Sequence, residues 1–482
     1  MPWPFTAGAN DRCDFKSFRY LAISFDSYLD MNTASSTSPI SSPQTASPAT
    51  PLDDITLTIG VIGDPHVVVR ERANGTTSGY AAHSFFEVED AEGTIATTGD
   101  WQHPWSDLKT LMARCENGTG LKVDALLCVG DLGFRGKTEP IQAAWKLLIE
   151  AGGLMGASVI ASATGNHDVH SRSEALEVAE NIVRNMEHVK GVFETLRLLE
   201  PPYPLVKSTS GGTTNTSRTD RATYFGEGAS FHEFEDFRLL IVNSCADHGH
   251  EKFEHERGNI SKSTLNAIRE DLQRPSTSTE KLNLLVVHHP PASDSEHDSG
   301  SLDFIYRGDE LLRILQETGQ PWLVIHGHKH NSGISFHNNT WIFSAASMGI
   351  RMESQIGGQR NQFYVLELTY CRTEACMKGI VRCWDWFQGR GWEPACPKDG
   401  GIFFDCGFGD NRTAVYWVNQ IKAAVQRTGL PASWSAVASD LPDIQYVMPE
   451  TLLAIRARLE QHEEIIIELD GSGFWESLAK KA

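Results

Sequence analysis

Beyond residue 55, short apolar and largely β-branched runs recur at residues 56–62, 125–129, 158–163, 239–243, 283–287 and 322–325. Several are continuously apolar, the pattern of strands buried on both faces of a sheet. Helical spacing lies between some of them, over 140–151 and 172–199. Helices alternating with buried strands predict an α/β sandwich. Further on, residues 413–428 and 449–462 read as helices and 464–470 as a short strand.

Three stretches interrupt this pattern as insertions. Residues 70–107 are polar and turn-rich, and residues 201–230, with their Ser/Thr/Gly-rich centre, read as a flexible excursion. The loop at 293–302 follows a strand directly and is expected to overhang the edge of the sheet. Before the pattern begins, residues 32–51 are nearly all Ser, Thr, Pro and Ala. Such a segment buries too little apolar surface to offset its ordering entropy, so it reads as a disordered linker. Met31 is a candidate start, which would make the first 30 residues an artefact of annotation; mass spectrometry of the native N-terminus would decide it. After Tyr370 five cysteines (Cys371, Cys376, Cys383, Cys396 and Cys406) fall beside Trp384, Trp386 and Trp392. The expected organisation is an extension over 1–54, a main domain over 55–370 and a C-terminal region over 371–482. No internal repeat is present.

Nearly every predicted strand ends in polar residues of one chemical kind. These are Gly-Asp-Pro-His at 63–66, Gly-Asp-Leu-Gly at 130–133, Gly-Asn-His-Asp at 165–168, His-His-Pro-Pro at 288–291 and Gly-His-Lys-His at 327–330. In α/β folds, ligands collect at the carboxyl ends of strands. Carboxylate, imidazole and amide oxygen together suit divalent Mn, Fe or Zn. An all-oxygen set would favour Mg or Ca, and a cysteine set structural Zn. Asp64, His66, Asp131, Asn166, His288, His328 and His330 are therefore candidate metal ligands. Asp131 is the expected bridge, with each carboxylate oxygen serving a different ion. Two metals about 3.5–4 Å apart suit in-line displacement at phosphorus, because they activate a bridging water as hydroxide and neutralise the phosphoryl oxygens. His167 is the candidate for protonating the leaving oxygen, with Asp168 orienting it.

The order of these blocks resembles the calcineurin-like metallophosphoesterases, over about residues 55–370. The resemblance implies a four-layer α/β/β/α sandwich, here with a small C-terminal appendage, and a two-metal site at the strand ends. It implies that Asp64, His66, Asp131 and His330 hold one metal, and that Asp131, Asn166, His288 and His328 hold the other. By the same resemblance the first histidine of His-His-Pro-Pro is the ligand, which leaves His289 behind it or at the substrate, and His167 is catalytic. Arg135 and Lys329 lie inside the blocks and are candidate phosphate contacts. The blocks look most like the cyclic-nucleotide phosphodiesterase branch. The 130–136 block lacks the second Asp of the serine/threonine protein phosphatases.

The expected activity is hydrolysis of a small phosphodiester or cyclic nucleotide. Phosphomonoesterase or phosphoprotein phosphatase activity is the alternative. A binding scaffold that recruits a partner through its C-terminal region is a third reading, and the complete ligand set argues against it. Composition narrows the partners. With 62 acidic against 42 basic residues the net charge is −20, which disfavours broad nucleic-acid binding. No apolar run is long enough for a membrane span and no signal peptide is evident. Nine cysteines in this length are not disulfide-dense, and Cys115, Cys128 and Cys245 fall singly, which favours reduced thiols in a cytoplasmic protein. Buried thiols packed beside tryptophans are the favoured reading of the 371–406 cluster, ahead of a structural metal site. His83, His103, His248, His250 and His255 read as surface loop histidines.

Overall fold

The computed structural model describes residues 54–70, 83–95, 103–113, 121–169, 193–208, 214–215, 218–248, 256–275, 280–292, 303–351 and 360–481, all within one compact unit, Leu52–Ala482. The 32–51 linker, the 293–302 loop, His250, His255 and most of the 172–199 helix lie outside the described residues.

Two sheets form the centre. The strand Ile55–Ile62 lies between an antiparallel partner, Gln362–Cys371, and a parallel one, Ala125–Cys128. Val159–Ser162 and then Leu205–Ser208 extend that side of the sheet. In the second sheet Phe237–Val242, Leu282–Val286, Trp322–His326 and Thr340–Ser344 run parallel in that order. Side chains alternate in direction along a strand, and the second sheet shows it plainly. Leu239, Ile241, Leu284, Val286, Leu323 and Ile325 enter one core shared with Leu57, Ile59 and Val61 of the first sheet. Leu240, Val242, Leu285, Val287 and Val324 instead pack on Leu265 and Ile268 of the helix Lys262–Gln273 and on Leu311 and Leu315 of the helix Gly308–Glu317. The helix Thr138–Met155 covers the first sheet with Ile141, Trp145 and Leu148. The result is helix, sheet, sheet, helix, as expected.

Two expectations change. The boundary between 370 and 371 falls at the turn of a hairpin, because Gln362–Cys371 pairs antiparallel with Cys376–Phe387. Gly391–Pro394 and Cys406–Phe408 pair onto that strand in turn, satisfying backbone groups that an edge would expose. Only from Ala414 does a separate core form, where Trp417, Ile421, Ile455, Leu459 and Leu478 join three helices to a three-stranded sheet. The segment 201–230, expected as a flexible excursion, is where described part of the main core. Tyr203 and Tyr224 are buried there, and their hydroxyls meet Thr164 Oγ1 at 2.9 and 2.8 Å.

Among the described residues, the seven cysteines carry free thiols. Cys371, Cys383 and Cys406 are buried, Cys376 and Cys396 are half-buried, and burial pushes the Cys406 thiol up to about 12. No described helix is long and apolar enough to cross a membrane.

His103, expected at the surface, is 7% exposed. Its Nε2 donates to the Glu87 carbonyl at 3.0 Å and its Nδ1 accepts from the Trp105 amide at 3.1 Å. Burial lowers its pKa from 6.5 to about 4. Between those values the unfolded chain takes up a proton that the native state refuses, so this contribution to stability is lost as pH falls below 6.5. The expected loss between pH 7.5 and 5 is about 2 kcal/mol. Urea unfolding at both pH values should show a loss smaller by that amount in His103→Gln. Identical pH dependence in the two proteins would contradict the assignment.

Candidate metal centre

Five strand ends converge on one rim. Asp64 and His66 follow Ile55–Ile62, Asp131 follows Ala125–Cys128, and Asn166 follows Val159–Ser162. His288 follows Leu282–Val286, and His328 and His330 follow Trp322–His326. The chain turns sharply as it leaves these strands. Asp64, His66, Asp131, His328 and His330 all have positive φ, at 27°, 48°, 53°, 75° and 56°. Each such residue costs on the order of 1–3 kcal/mol, and clusters of them mark functional sites. Local bonds hold the turns. The His66 amide donates to the Asp131 carbonyl (2.9 Å), the His328 amide to Asp64 Oδ2 (2.9 Å), and Ser347 Oγ to the Asp64 carbonyl (2.6 Å).

The side chains form two knots of donor atoms. In the first, His66 Nε2 lies 3.1 Å from His330 Nε2 and 3.4 Å from Asp131 Oδ2, and His330 Nε2 lies 3.7 Å from Asp64 Oδ2. In the second, His288 Nε2 lies 3.0 Å from Asn166 Oδ1, 3.3 Å from His328 Nδ1 and 3.5 Å from Asp131 Oδ2. Asp131 Oδ2 belongs to both. Its other oxygen, Oδ1, accepts the His167 amide at 2.7 Å. Oδ2 thus faces both knots, whereas the expected arrangement gave each oxygen to a different ion.

These contacts bring lone pair toward lone pair, which is unfavourable unless a proton or a cation lies between them. Asp64 Oδ1 is fully buried and accepts no hydrogen bond. His288 Nδ1 donates to the Val129 carbonyl (3.0 Å), and the His328 ring donates to the Glu256 carbonyl. Backbone acceptors of this kind fix the tautomer of a ligating imidazole and aim its other nitrogen inward. The field is negative. Burial alone would lower the His288 pKa, yet Asp131 and Asp64 raise it to about 9. Burial, and then Asp131, raise that of Asp168 to about 8. Burial, then His288 and His330, push His328 well below its usual value. Such a donor set fits divalent cations. Among the described residues, Asp64, Asp131 and His288 form one compact group able to hold a metal, as do His66, Asp131 and His167, and His288, His289 and His328.

The remaining predicted residues divide. His167 lies at the rim, its ring edge-on to His66 (4.6 Å) and beside Phe134 (5.0 Å). The Arg135 amide donates to its Nδ1 at 3.4 Å, leaving the proton on Nε2. Asp168, expected to orient that ring, instead accepts the Gly133 and Gly165 amides at 3.1 and 2.9 Å and ties two ligand loops together. His289 is 0% exposed beneath His328, with ring centroids 4.4 Å apart and Nδ1 at 2.8 Å from Ser244 Oγ. It packs against His328 from behind. Arg135 and Lys329 are half-buried on the ligand loops. Sequence reasoning missed Ser347, whose surroundings in the chain carry no motif. It also missed the Tyr203–Thr164–Tyr224 cluster beneath the Asn166 loop. The exposed His83 stacks on Phe134 at 5.7 Å and so reaches the His167 side.

The family profile of calcineurin-like phosphoesterases matches residues 57–332, more than half of the chain. The chain belongs to the calcineurin-like phosphoesterase family. Solved structures similar to this phosphoesterase include a dimetal phosphatase from Danio rerio, 13% identical, covering 66% of this chain and 96% of that one at a TM-score of 0.37. A purple acid phosphatase from yellow lupin (Lupinus luteus) seeds is 11% identical, with 68% and 52% covered and a TM-score of 0.36. Vacuolar protein sorting 29 from Cryptosporidium parvum is 10% identical, with 70% and 95% covered and a TM-score of 0.27. No curated protein matches this phosphoesterase significantly.

Proposed function

We propose that this chain is a phosphodiesterase acting on a small phosphoester through two divalent cations. Asp131 Oδ2 carries the reading, since it lies 3.4 Å from His66 Nε2 and 3.5 Å from His288 Nε2. Asp64, His66, Asp131 and His330 would hold one cation, and Asp131, Asn166, His288 and His328 the other. The mixed donors suit Mn, Fe or Zn. Bound there, the cations would neutralise charge on the phosphoryl oxygens and supply a nucleophile near neutral pH.

The protein's own groups complete the chemistry. His167, with its proton on Nε2, protonates the leaving oxygen as the ester bond breaks. The Arg135 amide holds that tautomer, and Phe134 walls one side of the ring. His167→Ala should keep its metal content and lose about 10²- to 10⁴-fold in turnover, most for poor leaving groups. Loss of the metals in this variant would show that His167 is a ligand instead.

The diester preference rests on the short blocks at 63–66, 130–133 and 288–291, and the absence of a second Asp from 130–136 disfavours a phosphoprotein phosphatase. Mn-loaded protein should hydrolyse bis-p-nitrophenyl phosphate faster than p-nitrophenyl phosphate. The reverse order supports a phosphomonoesterase, and metal-dependent turnover of neither would overturn the enzyme reading in favour of a scaffold. A cytoplasmic location accords with the free thiols among the described residues.

A further inference from the structure

Beside the second half-site runs the segment Glu256–Asn259. The Glu256 carbonyl accepts from the His328 ring, and the Arg257 carbonyl accepts from His248 Nε2 at 3.0 Å. Gly258 lies against His289, where a Cβ would stand 2.8 Å from that residue's own Cβ. The Gly258 carbonyl in turn accepts from the Tyr306 amide at 2.7 Å. Three backbone carbonyls thus fix this wall of the metal centre.

Arg257 projects from it. Its guanidinium lies over the rings of Phe304 (5.4 Å) and Tyr306 (5.0 Å). Its Nε is buried and donates no hydrogen bond. No carboxylate among the described residues pairs with it, although the chain carries 62 acidic residues. By contrast, Arg70, Arg238, Arg351, Arg360, Arg372 and Arg382 each meet an Asp or Glu. A second guanidinium, that of Arg307, lies 4.6 Å from the Tyr306 ring, which is itself 47% exposed. A charge that is half-buried, stacked and without a counter-ion among the described residues is poised for an anion supplied from outside. Its chain neighbours Glu256 and Gly258 touch His328 and His289, so Arg257 belongs to the wall of the ligand cage and is not one of the candidate ligands.

We infer that Arg257 is a specificity-determining residue that binds a second phosphate group of the substrate, flanking the phosphoryl group being hydrolysed. The inference rests on the phosphoester hydrolase reading. It narrows the substrate class to phosphoesters bearing another phosphate on the same molecule. The guanidinium meets phosphate with paired N–H donors, and the aromatic rings hold the side chain in place before the ligand arrives.

Two chromogenic diesters test it: the p-nitrophenyl ester of thymidine 5′-phosphate, and the same ester carrying a 3′-phosphate. Mn-loaded wild type should favour the 3′-phosphorylated ester in kcat/KM. In Arg257→Gln that ratio should fall about ten- to a hundredfold, mainly through KM, and Arg257→Lys should recover part of it. An unchanged ratio, or no preference in wild type, overturns the inference. Calorimetry with thymidine 3′,5′-bisphosphate and thymidine 5′-phosphate is independent of turnover. If neither ester is hydrolysed, the hydrolase reading fails by itself. The Arg257 inference still stands or falls on whether Arg257→Gln weakens the bisphosphate more than the monophosphate. Matching thermal unfolding of the variants separates a binding effect from misfolding.

Discussion

Asp131→Asn is expected to fold as the wild type does, to retain at most one equivalent of metal and to lose turnover by about a thousandfold or more. Asparagine tolerates the left-handed backbone that Asp131 adopts at φ 53°. Its side-chain oxygen still accepts the His167 amide that Asp131 Oδ1 holds at 2.7 Å. What disappears is the negative charge at Oδ2, which both donor knots share. Charge stabilisation by metals at a phosphoryl group amounts to several kcal/mol, hence the thousandfold figure. Elemental analysis, turnover of bis-p-nitrophenyl phosphate and thermal unfolding together check the prediction. A variant that keeps both metals and full activity would refute the shared-oxygen arrangement.

Gly165→Ala should be nearly as damaging, though Gly165 contributes no side-chain donor. A Cβ at this position would stand 2.1 Å from Asp131 Oδ1 and 2.3 Å from the Asp131 amide nitrogen. One of those neighbours is backbone, so no rotamer change relieves the clash. Overpacking of this kind costs about 1–3 kcal/mol, and moving reacting groups by about 1 Å costs about a hundredfold in rate. Lower thermal stability, weaker metal binding and about a hundredfold loss in kcat/KM are therefore expected together. Gly153, in the helix Thr138–Met155, has nothing within 4 Å of an added Cβ. Gly153→Ala should be neutral or stabilising by up to about 1 kcal/mol, which makes it the control. Equal behaviour of the two variants would show that the close approach at Gly165 is not real.

Much of this was legible before any coordinates. Buried strands read as continuous apolar runs, so residues 56–62 and 125–129 fall within one residue of the strands Ile55–Ile62 and Ala125–Cys128. The seven candidate ligands were visible because metal chemistry restricts residue types and strand ends restrict their positions. Less legible were groups whose role depends on a neighbour distant in the chain. The hairpin that carries Cys376–Phe387 onto the first sheet lies where composition shifts, so the shift suggested a boundary where pairing continues. Residues 201–230 looked flexible because their Ser/Thr/Gly-rich centre outweighed two tyrosines whose value lies in reaching Thr164.

The sequence by itself determined the α/β alternation of the fold and the chemical kind of the site, since apolar periodicity and donor chemistry are local properties of the chain. Only the tertiary structure decided that one oxygen of Asp131 faces both halves of the site and that Asp168 ties loops together instead of orienting His167. It alone showed that Ser347 holds Asp64 and that Arg257, next to the Glu256 carbonyl bound by His328, meets no carboxylate among the described residues. The physical reason is the same in each case. A lone pair, a hydrogen bond or a missing carboxylate is defined by what lies opposite in space, and folding brings together residues that the order of the chain keeps far apart.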